Sequence, residues 1–182
     1  MTRARLIAVV GPSGVGKDSV MAGICAALPG MHLVRRVITR APGLAGEAYD
    51  AVTPQQFDAM RDAGDFSLHW RAHGLRYGIP TQETRALDHG TACLVNLSRS
   101  VLSEANAAFP GLKVLNITAT PETLASRLAA RGRENDAEIA ERLIHAERPL
   151  PEGLDITPVP NDGPLSETVE HALSVLAPAR VS

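Results

Sequence analysis

Lysine is nearly missing from this 182-residue chain. Of its 18 basic residues only Lys17 and Lys113 are lysines, and 16 are arginines. Aromatic residues are also scarce, at 3%, so a core has to be built from Leu, Val, Ile and Ala. The two cysteines, Cys25 and Cys93, lie far apart and outside any CxxC pair, which excludes a disulfide framework or a zinc site. They read as small thiols in a reducing cytoplasm. No apolar run approaches the ~18 residues that a membrane span requires. Met1 to Val10 carries two arginines and a short apolar run, without the length or the small-residue cleavage site of a signal peptide. Positive charge is not in excess either. The formal net charge is -2, which argues against a protein that grips DNA or RNA by bulk charge. The expectation is a cytoplasmic single domain whose partners are small molecules, with neither nucleic acid nor membrane among them. Its oligomeric state stays open.

What is present is strand–helix alternation. Leu6 to Val10 is a continuous apolar run, the mark of a strand buried on both faces. Asp18 to Leu28 has helical apolar spacing and stops at Pro29-Gly30. Leu33 to Thr39 predicts a strand. Thr53-Pro54 starts a helix, with a capping side chain before Pro at the first helical position. Short strands are predicted near Phe66 to Trp70 and Leu75 to Gly78. Ala92 to Leu97 and Leu112 to Thr118 are further strands. Helices are predicted over Ser100 to Phe109, Pro121 to Arg131, Asp136 to Arg148 and Ser166 to Leu176, and prolines 149, 151, 158 and 160 break up the segment between the last two. This alternation implies an α/β fold with a parallel sheet covered on both faces.

Between the first strand and the first helix lies Gly11-Pro12-Ser13-Gly14-Val15-Gly16-Lys17, a GxxxxGK phosphate loop in the context the motif requires. Glycines let the backbone wrap a phosphate with its N–H groups turned inward. The following helix adds the positive end of its dipole, and a lysine reaches the β- and γ-phosphates as a point charge. Ser or Thr normally follows the lysine as a Mg²⁺ ligand. Here Asp18 follows, with Ser19 behind it, and a carboxylate is itself a hard-oxygen ligand for Mg²⁺, directly or through water. A nucleotide polyphosphate with Mg²⁺ is therefore the expected ligand of the loop.

The loop GPSGVGKD, the stretch VITRAPGLAGEAYDAVTPQQFDAMRDAGDFSLHW, and then HGLRYGIP, RLAARGREN and NDG, in that order over nearly the whole chain, resemble the guanylate-kinase-like branch of the P-loop kinases. Within it the chain is most similar to the ribose 1,5-bisphosphate phosphokinases of phosphonate breakdown. The resemblance implies a P-loop kinase fold with a five-stranded parallel core (1–39 and 91–182), an acceptor-binding insert near 40–90 and a lid near 131–142. It implies transfer of the ATP γ-phosphate to a phosphate acceptor, ribose 1,5-bisphosphate, giving 5-phosphoribosyl 1-diphosphate. Asp after the loop lysine is usual in that family.

The departures from guanylate kinases are informative. Their R-x-P-R phosphate anchor becomes Arg40-Ala-Pro-Gly43, which keeps one arginine. Tyr49 and Tyr77 match tyrosines that hold the acceptor phosphate. The guanine-reading Glu is replaced by Leu68, counting from Phe66, and the D-x-D pair by Asn96-Leu-Ser98. Leu offers no acceptor for guanine N–H groups. Asn96 and Ser98, at the carboxyl end of a central strand, are expected to touch the ribose, with strand-end capping as the alternative. His73 is expected to meet acceptor hydroxyls or phosphate. Arg131 and Arg133 are expected to close catalytically on the transferring phosphoryl group, with Arg142 near the acceptor and Arg127 structural; solvated helix charge paired with Glu134, Glu138 and Glu141 is the alternative. Asn161 and Asp162 resemble the N-D motif beside the adenine, and Asn-Asp-Gly is equally a turn composition. Two other functions stay open: another small-molecule or nucleoside monophosphate kinase, and a non-catalytic binding domain of the same fold.

Overall fold

The computed structural model describes residues 5–41, 48–131 and 149–176. Five strands form an all-parallel sheet: β1 (Leu6–Val10), β2 (His32–Leu33), β7 (Cys93–Asn96), β8 (Lys113–Thr118) and β9 (Asp155–Pro160), in the order β2-β7-β1-β8-β9. All five residues of β1 and all four of β7 are buried, as a strand covered on both faces requires. One face packs under helix α1 (Lys17–Ala27), whose Val20, Met21 and Ile24 join Ile7, Val9, Leu94, Leu115 and Ile117. The other face packs Leu6, Ala8, Val95 and Val114 against Leu68, Trp70 and Ile79 of a second sheet.

That second sheet contains β3 (Arg36–Ile38), β4 (Tyr49–Ala51), β5 (Phe66–Ala72) and β6 (Leu75–Pro80), ordered β4-β3-β6-β5. The strand predicted over Leu33 to Thr39 is thus two strands in two sheets. Val34 still donates to Leu94 O, but the next N–H, that of Arg35, goes to Glu83 Oε2 at 2.8 Å, which also meets His32 Nε2 at 2.9 Å. A side-chain carboxylate thereby replaces the neighbouring strand where the chain changes sheets. Helix α2 (Pro54–Asp62) starts at the predicted Thr53, in a full capping box with Gln56. Its Phe57 packs on Phe66, and the Phe66 ring lies where a Cβ on Gly78 would stand.

A four-residue helix, α3 (Thr81–Thr84), and a 3-10 turn (Arg85–His89) return the chain to β7. A 3-10 turn (Arg99–Val101) leads into α4 (Leu102–Ala108), and α5 (Pro121–Arg131) follows β8. The last helix, α6 (Leu165–Leu176), crosses α1 closely. A Cβ on Gly23 would lie 2.5 Å from Val169 Cγ2, so glycine sets that approach. The helix predicted over Asp136 to Arg148 lies outside the described residues. Among the described residues no helix is long and apolar enough to cross a membrane. Cys25 and Cys93 are free thiols, and burial pushes Cys93 up to about 11.

Strand β9 has no counterpart in the sequence reading, because Pro158 and Pro160 lie within it. It is an edge strand, where proline is tolerated if its nitrogen faces away from the neighbour. Asn161 N–H donates to Thr118 O on β8. Alternation then turns the nitrogens of Pro158 and Pro160 outward, so neither costs the sheet a bond.

Candidate active site

Parallel register brings four loops to one edge of the core sheet. Val9 pairs with Asn96, Val10 with Asn116, and Thr118 with Pro160. The phosphate loop, Leu97-Ser98, Ala119-Thr120 and Asn161-Asp162-Gly163 therefore emerge together at the carboxyl ends of the strands, where open α/β sheets place their ligands.

The loop is shaped by left-handed glycines, with φ 86° at Gly14 and 94° at Gly16. A Cβ on Gly11 would stand 2.5 Å from Ile117 O, a backbone atom that cannot step aside. Gly16 is also the cap residue of α1, so no side chain caps the helix, and its N-terminal end faces the loop with the positive end of the dipole, which favours an anion. Lys17 Nζ donates to Gly11 O at 2.9 Å and Pro12 O at 3.1 Å, which arches the side chain back across the loop. Asp18 and Ser19 are exposed in the first turn of α1. No group of three or more His, Cys, Asp or Glu that could hold a metal occurs among the described residues. A single carboxylate beside the loop lysine fits Mg²⁺ that arrives with its nucleotide, because Mg²⁺ typically takes one or two carboxylates and completes its shell with water and substrate phosphates.

An open pocket adjoins the loop, lined by Gly14, Gly16, Ser19, Arg127, Asn161 and Gly163 among others. Arg127, expected to be structural, lines it and donates to Val15 O at 3.3 Å. Asn161 is buried and donates through Nδ2 to the same carbonyl at 2.7 Å. Asp162 accepts from the Thr120 N–H at 2.7 Å, tying this turn to the start of α5. That backbone bond, with smaller help from the Thr123 and Thr120 hydroxyls and Arg127, holds its carboxyl below the usual carboxylate range. A depressed folded value contributes stability above the unfolded value of about 3.9, lost as pH falls through the folded one. Asp162→Asn should therefore lower Tm at pH 7, and the difference from wild type should shrink as pH falls below the unfolded value of about 3.9, in thermal melts across pH.

The other end of the site holds a cation–aromatic stack. Trp70 and Tyr77 stack at 5.3 Å between centroids and 9° between planes. The Arg36 guanidinium lies 5.2 Å from the Tyr77 centroid and 6.0 Å from that of Trp70. Arg36 is only 8% exposed, unusual for a charged residue. Trp70 Nε1 donates to Ser98 Oγ at 2.8 Å, so the stack reaches the end of β7 beside the phosphate loop. Asn96 is buried on β7, in register with Val9. Arg40 lies over the Tyr49 ring at 5.9 Å, and the Tyr49 hydroxyl donates to Ala41 O.

The structure thus brings together the loop residues 11–19, Asn161 and Asp162 at one end, and Tyr77 with Ser98 at the other, with Arg40 and Tyr49 paired on the second sheet. His73 stands apart: it is exposed at the tip of the β5–β6 hairpin, where it and Gly74 take the positive φ values (50° and 72°) of a two-residue turn. Arg133 and Arg142 lie outside the described residues, and Arg131 is placed only as the end of α5. Leu68 is buried in the core beside Leu97 and Leu102. The sequence alone does not single out Arg36 or Trp70. The available signals were an arginine inside an apolar run, LVRRVIT, and the single tryptophan.

No family model matches the chain. It is 49% identical over 176 residues to a ribose 1,5-bisphosphate phosphokinase from Ruegeria sp. (strain TM1040), covering 96% of this chain and 93% of that protein. It is 43% identical over 174 residues to a ribose 1,5-bisphosphate phosphokinase from Agrobacterium fabrum, covering 94% and 95%. Among solved structures, a guanylate kinase from Anaplasma phagocytophilum superposes with a TM-score of 0.69 at 18% identity, over 97% of this chain and 86% of that one. That likeness gives the P-loop kinase fold, and the two relatives give the family: the chain belongs to the ribose 1,5-bisphosphate phosphokinases.

Proposed function

We propose that this chain transfers the γ-phosphate of ATP to ribose 1,5-bisphosphate, releasing ADP and 5-phosphoribosyl 1-diphosphate, as a step of phosphonate breakdown in the cytoplasm. The observation that carries this reading is the meeting, at one sheet edge, of a phosphate loop and an arginine–aromatic stack joined through Trp70 and Ser98. In this reading the amides of Gly11 to Lys17 and the Lys17 ammonium hold the ATP phosphates. The pocket beside Arg127 and Asn161 takes the nucleoside. Asp18 would hold Mg²⁺, which would supply charge screening between the phosphates. Arg40, Tyr49 and Tyr77 hold the acceptor on an insert near 40–90, with Arg36 as a further cation on its floor. Arg131, Arg133 and Arg142 belong to a lid near 131–142.

The chemistry requires little acid–base help. The second pKa of a phosphate monoester is about 6, so at neutral pH the attacking oxygen is already ionised. It attacks the γ-phosphorus while the bond to the β–γ bridging oxygen breaks. The protein has to align two polyanions and offset their repulsion, which arginines and an ammonium do and a general base does not. Leu68, packed in the core, offers a purine no hydrogen-bond partner.

An ADP-release assay tests the reading. Ribose 1,5-bisphosphate should be turned over far faster than GMP. Faster turnover of GMP would overturn the proposed acceptor and leave the nucleotide site standing.

A further inference from the structure

The phosphate loop is held from behind. The Val15 carbonyl accepts two side-chain donors, Asn161 Nδ2 at 2.7 Å and Arg127 Nη1 at 3.3 Å. The Val15 carbonyl and the Gly16 N–H belong to one planar peptide and point in opposite directions. A carbonyl held on the outside of the loop therefore aims the Gly16 N–H.

The Asn161 amide can serve this carbonyl in only one orientation. A carbonyl accepts and never donates, so Nδ2 must face Val15. Oδ1 then faces Thr168 Oγ1 at 2.8 Å and needs its proton. The Thr168 hydroxyl also lies 3.1 Å from Pro160 O, but it has one proton, and giving it to Asn161 leaves both Asn161 contacts matched. The two side chains are enclosed, at 4% and 3% exposure. The backbone of Asn161 is fixed as well, by its N–H bond to Thr118 O at 2.8 Å. Packing points the same way: a Cβ on Gly16 would come within 2.7 Å of Asn161 Nδ2, so the amide fills the space a side chain at 16 would need.

We propose that Asn161 and Thr168 are positioning residues of the phosphate loop. Thr168 sets the orientation of the Asn161 amide, the amide sets the Val15–Gly16 peptide, and that peptide sets the direction of the Gly16 N–H. Asn161 then acts on the phosphates through the backbone, which is a different role from contact with the base. The two roles separate experimentally, because a base contact is felt only by ligands that carry a base.

Thr168→Val keeps the shape of the side chain and removes the donor. Thr168→Ser keeps the donor. Calorimetric Kd values for Mg-ATP and for Mg-tripolyphosphate are compared in wild type and both variants, without any acceptor, so the outcome is independent of which acceptor the enzyme uses. Thr168→Val should weaken both ligands by the same factor, about tenfold, the scale of one buried hydrogen bond lost or misdirected. Thr168→Ser should stay within about twofold of wild type on the same scale. If Thr168→Val does not fold, Asn161→Asp, of the same shape but with an acceptor facing Val15 O, should give a common loss at least as large. A loss confined to Mg-ATP, or affinities unchanged in a folded variant, would overturn the proposal.

Discussion

Replacing Lys17 with Met should lower kcat by at least ~10³ while leaving the protein folded. Methionine is close to lysine in length and keeps the half-buried stem packed, so the change removes charge more than volume. In the structure the ammonium is bound to Gly11 O and Pro12 O, at 2.9 and 3.1 Å. It is thus already over the loop, where bound phosphates can compete with these neutral carbonyls for its protons. A cation on a γ-phosphoryl group acts most strongly when the charge redistributes, so kcat should fall more than nucleotide affinity. Circular dichroism and a thermal melt report the fold, and single-turnover kinetics report the chemical step. A Lys17→Met enzyme within tenfold of wild type would remove Lys17 from the catalytic set.

Asp18→Ala should lower kcat by about 10² at fixed Mg²⁺, with a steeper requirement for the metal. Asp18 is the exposed acidic residue in the first turn of α1, one position past the loop lysine. Its charge favours the helix N-terminus in the absence of nucleotide, so its removal should cost a few tenths of a kcal/mol to about 1 kcal/mol of stability. That is far too little to account for a hundredfold loss of turnover. Asp18→Ser, which restores the hydroxyl that usual phosphate loops carry here, should recover part of the activity. Titrating Mg²⁺ against each variant separates metal affinity from the chemical step. Activity of Asp18→Ala within a few-fold of wild type would shift the metal to Ser19 or to water.

The loop, most strands and α5 were legible because their signals are local. Five adjacent apolar residues, a glycine-rich turn and a Thr-Pro start each specify their own backbone. The strand predicted over Leu33 to Thr39 breaks in two because the chain there is held by Glu83, a partner about fifty residues away that no local pattern reveals. The same holds for the site. Lys17 and Asp18 could be read from spacing. Arg36 leaves only a faint signal, an arginine inside an apolar run, and becomes notable when its burial and its two rings are seen together. Thr168 looks like any polar residue in an amphipathic helix. Its importance comes from one hydrogen bond to Asn161, and Asn161 itself reads as a turn residue until its amide is found on Val15.

The prolines of β9 have a consequence beyond having hidden that strand. Strand edges are where sheets recruit other chains, by offering a row of unused donors. On β9 two positions of the outward row, Pro158 and Pro160, have no donor to offer. The opposite edge, β2, is only two residues long. A newly made chain or a crowded solution therefore finds little on either margin from which an intermolecular β-ladder could grow. The residues that weaken the strand signal also guard the enzyme against aggregating through the edges of its core sheet.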